Sequence, residues 1–92
     1  MNNKINRLKF ADSVRVSLSS KLVRDVESAN FLLGSRWPSR HILTKDGTEP
    51  ALLKRARNAC GRATIQRTHE AIERARQSFI EAARSAEVLV SP

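Results

Sequence analysis

Tyrosine is absent from these 92 residues, and aromatic side chains make up only 4% of them. That scarcity argues against a stacking platform for single-stranded nucleic acid, where successive bases rest on aromatic rings. A single cysteine, Cys60, excludes an internal disulfide and any metal site built on cysteines. A lone thiol suits a reducing compartment, so the expected location is cytoplasmic. No apolar run approaches the ~20 residues that a transmembrane helix needs. The first ten residues, "MNNKINRLKF", lack the apolar stretch of a signal peptide. No membrane role is therefore expected. The three glycines, Gly34, Gly47 and Gly61, are scattered and do not form a phosphate-cradling loop. Acidic residues are scarce too: 9 Asp and Glu stand against 17 Lys and Arg, a formal charge of +8.

What is present reads as one small α+β domain. Hydrophobic residues make up 40% and charged residues 28%, an ordinary globular composition. Residues 1–9 read as a flexible basic arm and residues 10–92 as the folded unit. In "VRVSL", Val14, Val16 and Leu18 alternate with Arg15 and Ser17, as in a half-buried strand. "SSK" reads as a turn and Leu22 to Arg24 as the returning strand of a hairpin. Asp25 is placed to cap a helix in which Val26, Ala29, Leu32, Leu33 and Trp37 recur at helical spacing. Pro38 ends it by disfavouring helical geometry at Trp37. A loop follows, with a turn at Asp46-Gly47. Thr48 is the expected cap of a second helix, with Glu49 and Pro50 in its first turn and its end near Gln66. Thr68 is the expected cap of a third, from His69 to about Ala86. The last residues, "EVLV", are suited to a third strand beside the hairpin. The expected order is β-β-α-α-α-β, a small antiparallel sheet under helices.

The second helix carries the clearest pattern. "LLKRARNACGRATIQR", Leu52 to Arg67, has five basic side chains and no acidic one. On a wheel of about 100° per residue, Leu52, Leu53, Ala56, Ala59, Cys60 and Ala63 share one arc. Lys54, Arg55, Arg57, Asn58 and Arg62 fall opposite. The charge is also uneven along the chain. Residues 1–68 hold 14 Lys and Arg against 5 Asp and Glu, whereas residues 69–92 hold 3 Arg against 4 Glu. The third helix buries Ala71 or Ile72, Ala75, Phe79, Ala82, Ala83 and Ala86 on one side. Its outer side offers Glu70 and Arg74 four residues apart, in the acidic-first order that favours pairing.

Catalysis has little to stand on, and no enzyme is expected. No catalytic residue, cofactor site or metal site is assigned. His41 and His69, with Asp46 or Glu49, show no ligand spacing. Cys60 lies on the apolar arc, where a cysteine behaves as a small hydrophobe. Two uses of the basic stripe compete. One is a solvated or docking face for an acidic protein partner. The other is sequence-tolerant contact with nucleic-acid phosphates, which needs several cations on one surface. The candidate contacts are Arg40, Lys54, Arg55, Arg57, Arg62 and Arg67, with Arg36 and Lys45 as extensions. Base-specific reading is disfavoured, because the third helix is nearly neutral and alanine-rich.

Three segments, "LLGSRWP", "ALLKRARNAC" and "ARQSFIEAARSAEVLV", resemble the bacterial domain-of-unknown-function family numbered 982. The shared pattern is a Leu-Leu helix ending in Trp-Pro, an Ala-x3-Cys helix and an Ala-Arg-x2-Phe-Ile-x-Ala-Ala helix. It falls on Leu32, Leu33, Trp37 and Pro38; on Ala56 and Cys60; and on Ala75, Arg76, Phe79, Ile80, Ala82 and Ala83. The loop from Ser39 to Thr48 is longer than the family's usual link. The resemblance implies a fold and supplies no function. The expected core is Leu33, Trp37, Ala56, Cys60, Ala75, Phe79 and Ala83. Arg76 is the polar exception, expected to pair with Glu73. The expected function is that of a small non-enzymatic adaptor acting through protein–protein contacts, with nucleic-acid binding as the alternative. A homodimer is expected, because short strands leave sheet edges unpaired.

Overall fold

A computed structural model of the chain describes residues 8–39, 42–45 and 47–91. The expected arm over residues 1–7, and Arg40, His41 and Asp46, lie outside the described residues. The elements follow the order β1 (Lys9–Val16), β2 (Val23–Asp25), α1 (Val26–Phe31), α2 (Ala51–Gln66), α3 (His69–Ser85) and β3 (Leu89–Ser91). The sheet is antiparallel with strand order β2-β1-β3, so the C-terminal strand closes beside the first one. The α+β class and the element order agree with the sequence reading.

β1 starts earlier than alternation alone indicates. It opens at Lys9, with Leu8 already buried at 3% exposure, so these two residues belong to the sheet and core rather than to an arm. The reason is an irregularity in register: Lys9 faces Asp25 while Val14 faces Val23. Such a bulge disrupts the ladder and hides the strand's period from a pattern search. Arg76 Nε, from α3, donates to the Asp12 carbonyl within that irregular stretch at 2.9 Å. Its Nη1 reaches Glu73 Oε2 at 3.2 Å, the expected pair. Arg76 thus ties α3 to the bulge of β1.

α1 begins where Asp25 accepts from the Ser28 N–H at 2.8 Å, so the expected cap is present. The helix does not run evenly to Trp37. Leu32–Arg36 widens into a π-helical turn, and Trp37 is extended (φ −65°, ψ 140°). Pro38 has no N–H to continue any helical ladder. Its ring also disfavours helical geometry at Trp37.

The expected Thr48 cap is not formed. α2 begins at Ala51, with Pro50 at the cap position and no side-chain cap bond. Thr48 closes the preceding loop instead. Its hydroxyl lies 2.7 Å from the Thr44 hydroxyl, and its carbonyl accepts from the Thr44 N–H at 2.7 Å. Gly47, at φ +82°, supplies the left-handed residue of that turn. α3 is capped as expected, with Thr68 Oγ1 accepting from Ala71 N–H at 3.1 Å.

The core lies between the sheet and the helices. Leu33, Trp37, Ala56, Cys60, Ala75, Phe79 and Ala83 are all buried. Trp37 meets Phe79 with ring centroids 6.0 Å apart at 60°, a tilted pair in the favourable range. Alanines on both α2 and α3 face this interface, and small side chains let the two helix backbones approach closely. Among the described residues no helix is long and apolar enough to cross a membrane.

Candidate binding groove

The basic stripe of α2 does not survive as one surface. Arg57 lies on one flank of the helix, where its Nη1 pairs with Glu49 Oε2 at 2.6 Å and its Nη2 donates to the Leu33 carbonyl at 3.0 Å. Leu33 lies in the π-helical turn that Trp37 ends, where carbonyls lose their helical donors. Arg57 supplies one, and Glu49 neutralises the charge beside it. Arg57 is therefore a structural link between the end of α1 and α2, which sets it apart from the unpaired cations of the stripe.

The other flank faces α3. Arg55 Nη1 lies 3.8 Å from Glu81 Oε1, a loose and exposed pair worth little on its own. It does fix the packing. A residue early in α2 meets one late in α3, so the helices run antiparallel. Moving the same distance along each from Arg55 and Glu81 brings Arg62 level with Arg74, and Asn58 level with Ser78. A cleft of about 400 Å³ follows this seam, lined by Lys54, Arg55, Asn58, Arg62, Arg74 and Ser78, with Ala51 and Ala59 between them. Lys54, Arg62 and Arg74 are exposed and make no ion pair among the described residues. Glu70 and Arg74, expected to pair, do not.

The remaining candidates stand apart. Arg67 ends α2 in the left-handed conformation (φ 55°), its N–H donating to the Ala63 carbonyl, and does not line the groove. Arg36 is exposed beside a different cleft, and Lys45 is exposed in the loop. Arg74 and Ser78 were missed by sequence reasoning. Arg74 was assigned to Glu70, and α3 as a whole is nearly neutral. Ser78 had a usable signal: it falls on the apolar arc of α3, between Ala75 and Ala82, where a polar residue calls for an explanation.

Two other features carry less. A larger cleft of about 550 Å³ lies between the hairpin turn and α1, lined by Leu18, Leu22 and Phe31. Its rim mixes Glu27 with Lys21 and Arg36, so its charge selects no ligand, and the smaller basic groove is the better candidate. Cys60 is fully buried, and desolvation pushes its thiol up to about 11, far from the low value a nucleophile needs. Among the described residues no three His, Cys, Asp or Glu side chains gather where a metal could sit.

The family described as Protein of unknown function (DUF982) matches residues 12–90 of the chain. No curated protein and no solved structure matches it.

Proposed function

The chain belongs to the DUF982 family of proteins of unknown function, and from that premise we propose that it is a small non-enzymatic adaptor whose α2–α3 groove takes an acidic segment of a partner protein. One observation carries the reading. Arg62 and Arg74 come level across the seam of two packed helices, and neither has a carboxylate partner among the described residues. Like charges held together are costly, and a bound carboxylate turns that cost into an attraction. Lys54 and Asn58 extend the polar contacts, and the alanines leave room for a side chain to enter.

Nucleic acid is the weaker reading. Arg57 is occupied by Glu49, so one of the expected phosphate contacts is already neutralised. The remaining cations line a cleft rather than a broad flat face. The proposal also includes a cytoplasmic location, in keeping with the buried thiol. It includes self-association along the outer edge of β3, where Val90 is exposed. Sedimentation as a single 10.3 kDa species at high concentration removes that last element.

The test is a titration at about 50 mM salt, where nonspecific electrostatic binding is strong. A labelled peptide rich in Asp and Glu and a short labelled duplex are each added to the intact protein and to an Arg62→Glu, Arg74→Glu variant. The acidic peptide is expected to bind the natural protein and to lose the variant. A peptide that does not bind overturns the reading. So does a duplex that binds more tightly, with a log–log salt slope of about 0.9 per phosphate contact.

A further inference from the structure

Ser78 separates this groove from an ordinary solvated seam. It is only 7% exposed, lies on α3 and lines the cleft. A serine or threonine inside a helix usually donates back to the carbonyl four residues earlier. Thr64 of α2 does so, its hydroxyl donating to the Cys60 carbonyl at 2.9 Å. Ser78 makes no such bond, and its hydroxyl has no partner among the described residues. No buried side-chain oxygen or nitrogen among the described residues lacks a partner, so the Ser78 hydroxyl keeps contact with the solvent of the cleft, where a ligand oxygen can replace water. It opens into the same cleft as Arg62 and Arg74.

The number of donors selects the anion. A carboxylate has two oxygens, and a single guanidinium satisfies both in a bidentate fork. Two guanidinium groups, the Ser78 hydroxyl and the Asn58 amide offer far more than one carboxylate accepts. A phosphomonoester carries three terminal oxygens and a charge of about −1.5 to −2 near neutral pH, which matches two arginines and a hydroxyl donor. We propose that the anion seated between Arg62 and Arg74 is a phosphorylated serine or threonine of the acidic partner segment, with the Ser78 hydroxyl donating to one of its oxygens. This rests on the adaptor reading and names the chemistry of the partner. The alanines lining the cleft leave space for the phosphorylated side chain, and Lys54 remains for an acidic residue flanking it.

The experiment uses three acidic peptides of one sequence, carrying serine, glutamate or phosphoserine at the central position. Each is titrated by fluorescence anisotropy into the intact protein, Arg74→Ala and Ser78→Ala. Thermal melts run alongside as a check on folding. The phosphoserine peptide is expected to bind about tenfold more tightly than the glutamate peptide. Ser78→Ala is expected to weaken the phosphopeptide about tenfold, leave the serine peptide unchanged and leave the melt unchanged. Equal binding of all three peptides overturns the phosphate assignment and leaves the acidic-partner reading standing. So does a phosphopeptide affinity that Ser78→Ala does not move. Failure of every peptide overturns both readings, and tighter binding of a short duplex does the same.

Discussion

Arg57 and Arg62 belong to the same helix and look alike in sequence, yet their surroundings are opposite. Arg57 meets Glu49 and the Leu33 carbonyl, and its charge is spent on joining α2 to the end of α1. Arg62 lines the seam with α3 in the same cleft as Arg74, and both remain open to solvent. The first flank is a structural joint and the second is an open groove lined by unpaired cations. A run of cations is therefore not a surface until the neighbours of each are known. The difference also separates two kinds of mutational consequence. Changes on the Arg57 side are expected to fall on stability, and, under the proposed function, changes on the Arg62 side on binding.

The strongest way to sharpen that contrast is to remove the anchor of the structural side. Trp37 follows the π-helical turn and packs on Phe79 at 7% exposure. Trp37→Ala leaves a large cavity, and is expected to cost about 3–5 kcal/mol in chemical denaturation. A midpoint that does not move would show the joint to be less central than its packing implies. Arg57→Ala comes next. It leaves the Leu33 carbonyl and Glu49 without their donor, but the Arg57 side chain is 37% exposed and water replaces part of what is lost. A loss of about 1 kcal/mol is expected, with acidic-peptide affinity nearly unchanged. If Arg57→Ala instead abolishes peptide binding and spares stability, the two flanks have been assigned the wrong way round.

The smallest stability effect belongs to the groove. Arg62→Ala combined with Arg74→Ala is expected to shift stability by no more than about 0.5 kcal/mol, since both side chains are exposed and unpaired. Relief of like-charge repulsion makes the expected direction slightly stabilising. A large destabilisation in the melt would mean that these arginines hold the helices together, and the contrast with Arg57 would collapse.

Much of the fold was legible because local chemistry and the global arrangement agree. Val14 and Val16, the caps Asp25 and Thr68, the Trp37-Pro38 stop and the alanine stripe of α3 each announce their structural role through spacing or side-chain chemistry. The misses share a physical cause. The early start of β1 depends on a bulge whose freed carbonyl is met by Arg76, a residue distant in sequence. Thr48 had the right chemistry for a cap, but Thr44 claimed its hydroxyl.

The candidate site was only half legible. α2 showed its cations, but a helical wheel describes one helix and is silent on what lies beside it. By itself, the sequence determined which positions are apolar, the caps of α1 and α3 and the Trp37-Pro38 stop, and that positive charge concentrates before residue 69. These follow from covalent spacing and from side-chain chemistry within a few residues. Only the tertiary structure decided which cations are paired. It took Arg57 out of the stripe, brought Arg74 level with Arg62 and left the Ser78 hydroxyl without a partner in the cleft. The reason is that a charge interacts through distance in space, and the antiparallel packing of α2 on α3 sets those distances between residues that no local pattern connects.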